Sequence, residues 1–121
     1  MGFSELEKML SSFGYAHLKQ ADLPYGVGVW YKRLGFWGED MTYHEHLCVF
    51  LQEVEGLVMG VCPLYLRTHK TKNTAKWLLK EAKSLEARLD YKDPSSVKEV
   101  ESLMRTEIAV KRIDRSEAHR V

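Results

Sequence analysis

Between Tyr43 and Thr68 the chain reads YHEHLCVFLQEVEGLVMGVCPLYLRT, two runs rich in apolar and β-branched residues with Glu55-Gly56 between them. Such runs suit paired strands, and a residue tolerant of positive φ suits the tight turn joining them, so the stretch predicts one long β-hairpin. With a two-residue loop, positions whose numbers sum to 111 face one another, and the strand period of two divides the side chains into two sets. One set holds Leu47, Val49, Leu51, Val58, Cys62, Leu64 and Leu66 and reads as a core face. The other holds Cys48, Phe50, Val54, Leu57, Met59 and Val61 near the turn, then His44, His46, Tyr65 and Arg67 at the open end. That second face passes from apolar to polar along its length.

The flanking segments show helical and strand periods in turn. Ser4-Glu5-Leu6-Glu7 has the form of a capping box, and Phe3, Leu6, Met9, Leu10 and Phe13 recur at three- and four-residue spacing before Gly14, where a glycine ends a helix. Residues 15–24 read as a loop with a brief strand ending at Pro24. From Tyr25 to Leu34, Val27, Val29 and Tyr31 alternate with Gly26, Gly28, Trp30 and Lys32, a strand whose glycines mark a bulge or a close backbone approach. Residues 35–40, GFWGED, read as a loop whose Phe36 and Trp37 pack back onto the core or face a partner.

After Thr68, Asn73 or Thr74 caps a helix carrying Leu78, Ala82, Leu85 and Leu89, with Trp77 and Leu79 widening its apolar stripe. Asp93-Pro94 opens another helix through Val97, Val100, Met104 and Ile108, and residues 114–121 read as a frayed polar tail. The predicted order is α-β-β-β-α-α. It describes one α+β domain over residues 1–121, a three-stranded antiparallel meander with an N-terminal helix and two C-terminal helices. The two C-terminal helices are expected over the leucine-valine face. The apolar turn end of the other face is left to the first helix or to a second copy, so a homodimer is expected.

Composition narrows the picture only slightly. At 121 residues, 45% hydrophobic and 29% charged, the chain can bury a core without disulfide or metal staples. No apolar run is long enough to span a membrane, and MGFSELEKML is amphipathic and acidic where a signal peptide is basic and apolar, so a cytoplasmic location is expected. Under the 111 register Cys48 and Cys62 point to opposite faces, which argues against a disulfide; a different turn would reverse that conclusion. The net charge of +1 conceals an asymmetry: residues 1–60 carry four Lys/Arg against eight Asp/Glu, and residues 61–121 carry fourteen against nine.

The basic half concentrates its charge where the last strand ends and the next helix begins. Arg67, His69, Lys70, Lys72, Lys76 and Lys80 gather there, beside backbone N–H groups and a helix dipole that also favour an anion, and a nucleic-acid phosphate backbone suits such a site. The order α-β-β-β-α over residues 4–91 resembles that of double-stranded-RNA-binding domains, in which a KKxAK segment grips phosphates. Lys72-Asn73-Thr74-Ala75-Lys76 reproduces that segment with asparagine for the second lysine, although the stretch between the helices is longer than in that family and the glycine-containing approach is absent. The resemblance implies RNA as the partner.

Two other chemistries compete. His44 and His46 point the same way on a strand, and a His-x-His pair is similar to the ion-holding motif of HUH-type nucleases, with Tyr91 available as a nucleophile; the motif's hydrophobic middle residue is here Glu45. Phe50, Leu57 and Met59, with Phe36 and Trp37, offer a surface for a protein partner, as in a dimeric adaptor or inhibitor. No Ser-His-Asp or Cys-His spacing, CxxC pair or paired catalytic carboxylate stands out, so the chain reads as non-enzymatic and without a cofactor.

Overall fold

A computed structural model describes residues 1–18, 26–85 and 88–120, with side chains described as far as residue 112 in the last helix. The elements in order are α1 (Phe3–Ser12), β1 (Ala16–His17), β2 (Val27–Trp37), β3 (Tyr43–Val54), β4 (Leu57–His69), α2 (Thr74–Leu85) and α3 (Val97–Arg120). The strands form one antiparallel sheet in the order β1-β2-β3-β4. The α+β class and the meander therefore stand, with a two-residue β1 added at one edge. Of the stretch read as a loop with a brief strand ending at Pro24, β1 is that strand, and residues 19–25 lie outside the described residues. The backbone of α3 is helical into the segment read as a tail.

The hairpin turn is a left-handed pair, Glu55 at φ 50° and Gly56 at φ 81°, as a type I′ connection requires. Val54 faces Leu57 and Glu53 faces Val58, so the 111 register holds beside the turn. It then shifts: Gln52 faces Gly60, and every pair from there to Tyr43 opposite His69 sums to 112. Met59 is the extra residue of a β-bulge. A one-residue slip exchanges the faces of a strand, so everything on β4 beyond Met59 lies on the face opposite to the one expected.

The corrected faces are both core. On the first, Trp30, Leu47, Val49, Leu51, Val58, Val61 and Tyr65 pack with Leu6 and Leu10 of α1 and Val100 and Met104 of α3. On the second, Val29, Cys48, Phe50, Cys62 and Leu66 pack with Leu18 and with Leu78 and Ala82 of α2. The two C-terminal helices are thus divided between the faces rather than sharing one. A sheet apolar on both sides needs cover on both, and one layer of helices cannot supply it. Cys48 and Cys62 share a face after all, but Cys48 sits opposite Leu64 and Cys62 opposite Phe50, and both thiols are free. Diagonal neighbours lie about 7–8 Å apart, too far to bridge without moving backbone.

Local sequence is overruled at the starts of α1 and α3 and obeyed at the end of α1. Gly2, not Ser4, is the N-cap of α1. The chain start is clamped to the hairpin turn, Phe3 N–H donating to Gly56 O (2.8 Å) and Val58 N–H to Met1 O (2.9 Å), and this places the helix start earlier than the capping box would. α1 ends in a Schellman arrangement, Tyr15 N–H reaching Leu10 O and Gly14 N–H reaching Ser11 O. Pro94 precedes α3 without entering it; Ser96 caps that helix by accepting from Glu99 N–H (3.3 Å), and Ser95 donates back to the Glu99 carboxylate, which lowers the pKa of Glu99. The outer edge of β4 is closed by a mutual backbone pair between Val61 and Lys92, by Pro63, and by the Glu107 carboxylate accepting from Tyr65 N–H (3.0 Å).

Candidate nucleic-acid interface

α2 owes its position to the turn that follows β4. Lys70 N–H donates to Thr42 O (2.8 Å) and Lys72 N–H to His69 O (2.9 Å), while the His69 ring is held to Thr71 (Nδ1 to Oγ1, 2.7 Å). Asn73 then caps the helix, its Oδ1 accepting from Lys76 N–H (3.1 Å), as its residue type predicts. Leu78 and Ala82 anchor one side of α2 to the sheet. On the solvent side Lys72, Asn73, Lys76, Trp77 and Lys80 line an open groove of about 400 Å³. Trp77 is half-buried, one part of its indole against the Phe50–Cys62–Leu66 cluster and the rest in the groove.

Three of the six expected basic residues therefore come together, and three do not. Lys72, Lys76 and Lys80 share the groove. Lys70 is exposed on the preceding turn, and His69 lies opposite Tyr43, their rings 5.5 Å apart and edge-on. Arg67 has gone to the other face of the sheet with the register shift. Its Nε donates to Tyr65 Oη (3.1 Å), and its guanidinium lies 3.9 Å over the Trp37 ring. Tyr65 donates in turn to Glu45, whose Oε2 also accepts from Arg112 of α3 (2.9 Å). Burial first, then the Glu45 hydrogen bond, raises the Tyr65 pKa. Arg67 is engaged with Tyr65 and Trp37 beside the buried Glu45 carboxylate, and the open-end grouping of His44, His46, Tyr65 and Arg67 is dissolved.

The histidines stay on the second face, ring centroids 6.2 Å apart. His46 is 2% exposed, and burial, reinforced by His44, pulls its pKa down to about 4. Among the described residues no group of three or more His, Cys, Asp or Glu is placed to hold a metal ion. Tyr91 is not brought to them: it neighbours Lys92, which pairs with Val61, whereas His46 faces Leu66, five strand residues or roughly 16 Å further on.

The expected interaction residues also divide. Phe50 is 2% exposed beneath α2, so it offers no surface; the other apolar face that it was assigned to is closed by this chain's own helix. Leu57 and Met59, with Val54, are each 53% exposed around the turn. Phe36 and Trp37 belong to β2 rather than to a loop, paired with His44 and Tyr43. Phe36 is exposed, edge-on to His44 at 5.1 Å, and Trp37 is half-buried beneath Arg67.

Trp77 is the groove residue that pattern reading assigned to the core alone. Its signal was its setting, with Lys80 three residues on, which helical spacing puts beside the ring. The Glu45–Arg112 ion pair, 67 residues apart, had no local signal. No helix among the described residues is long and apolar enough to cross a membrane. No model of a known protein family matches the chain, and neither a curated protein nor a solved structure matches it.

Proposed function

We propose that this chain is a non-enzymatic nucleic-acid-binding protein, with RNA preferred, that holds phosphates along α2 through Lys72, Lys76 and Lys80. The supporting observation is the groove itself: three lysines and an asparagine amide around one indole, with no carboxylate among its lining residues. The preference for RNA rests on the similarity of Lys72–Lys76 to the KKxAK segment. Three phosphate contacts imply a slope of log affinity against log salt of about −2 on a single strand. Fluorescence anisotropy with a labelled oligonucleotide across salt tests this: Lys76→Ala should weaken binding and flatten the slope by about 0.7. Absence of binding at low salt, or binding indifferent to salt, overturns the proposal.

A second reading is favoured by Val54, Leu57 and Met59, which leave an apolar rim around the hairpin turn. It assigns that rim to a protein partner, most simply a second copy in a homodimer. Light scattering after size exclusion tests it, and a strict monomer at high concentration removes the homodimer.

A further inference from the structure

We infer that the α2 groove takes an unpaired strand, with one base stacked on the indole of Trp77 and the flanking phosphates on Lys72, Lys76 and Lys80. The inference rests on the nucleic-acid reading and specifies which form of nucleic acid is bound. In a duplex the base faces are already stacked on one another, so a phosphate-gripping helix has no use for an aromatic plane in its groove; an unpaired base presents a free π-face. Trp77 suits that role because its seat is fixed. The indole is packed against the core cluster to which Phe50, Cys62, Leu66 and Leu78 belong, so ordering it on binding costs less side-chain entropy than ordering a free ring. At about 400 Å³ the groove has room for one base and its sugar.

The reach of the charge agrees. Lys76 and Lys80 are one helical turn apart, about 6 Å at helical rise, and Lys72 adds a third charge from the turn just before the helix, a span that suits a few nucleotides of one strand. Reading a duplex requires contacts spaced across successive grooves from one side of the protein. The other helix that the resemblance would recruit, α1, packs on the opposite face of the sheet and turns Glu5 and Glu7 to solvent. Arg67, which could have widened the basic surface, is engaged with Tyr65 and Trp37.

The test compares a short unstructured RNA with a hairpin duplex of the same base composition, by anisotropy at low salt, in wild type, Trp77→Leu and Trp77→Phe. The single strand should bind more tightly than the duplex. Trp77→Leu should cost about tenfold on the single strand, the effect of losing one stacked base, and leave the duplex unchanged; Trp77→Phe should retain most of the affinity. In wild type the strand should also quench indole emission, and the quench should vanish in Trp77→Phe, which settles the matter if Trp77→Leu does not fold. A wild-type preference for the duplex, or single-strand affinity and emission indifferent to Trp77, overturns the stacking site while leaving phosphate binding intact. Failure of wild type to bind either RNA is the distinct result that removes the underlying reading as well.

Discussion

His46 makes stability depend on pH in a way that can be worked from its surroundings. The ring lies on β3 on the second face of the sheet, 2% exposed, and the nearby His44 and Arg33 disfavour a further positive charge. Its pKa falls from 6.5 to about 4, chiefly because burial penalises the imidazolium. As pH drops below about 6.5 the unfolded chain takes up a proton that the folded chain refuses until about 4. The folded state is therefore unaffected above neutrality and loses stability between those two values. Linkage puts the loss from this residue at about 2 kcal/mol between pH 7.5 and pH 5, approaching about 3 kcal/mol at lower pH. Urea unfolding at pH 7.5 and pH 5 in wild type and His46→Leu measures it, since the difference within each protein cancels the carboxylates and histidines common to both. The variant should lose about 2 kcal/mol less than wild type on acidification. An equal loss in both would mean that His46 is hydrated when folded, and would refute its burial.

Three further expectations follow from the packing. Arg112→Ala should cost about 2 kcal/mol by leaving the buried Glu45 carboxylate without its cation, and most of that cost should disappear in a Glu45→Gln background; additive losses in a double-mutant cycle would refute the pairing. Gly26→Ala should be far more disruptive than Gly56→Ala, because both sit at φ above +80° but only at Gly26 would a Cβ meet backbone, the Glu53 carbonyl oxygen at 2.7 Å. Gly56→Ala should cost about 1 kcal/mol by thermal unfolding, and equal costs would contradict the close approach of β2 to β3. Cys48 and Cys62 should be unreactive towards a disulfide reagent in the native protein and should not bridge on mild oxidation, since burial raises both thiols, Cys48 to about 12. Rapid labelling of native Cys48 would place it at the surface.

The candidate site was legible in part, and the division follows from range. Lys76 and Lys80 could be grouped from sequence because helical spacing keeps them together once Asn73 starts the helix, and Lys72 stands one residue ahead of that cap. Arg67 could not be assigned from sequence, because its side of the sheet depends on a bulge eight residues away at Met59. The orphan pattern there is instructive: β4 is apolar on both faces, Val61 and Tyr65 on one and Cys62, Leu64 and Leu66 on the other, so period two carries no information about register.

What the amino-acid order determined by itself is everything settled within a few residues: a helix ending at Gly14, a helix starting at Asn73, the Glu55-Gly56 turn and the strands that flank it. Backbone dihedral preferences and side-chain periodicity act at that range and need no partner. Tertiary structure alone decided which face each side chain of β4 joins, that α2 and α3 lie on opposite sides of the sheet, that Glu45 is neutralised by Arg112, and that Trp77 keeps part of its ring in a lysine-lined groove. These are outcomes of packing, in which a two-sided apolar sheet admits either register until the helices that cover it select one.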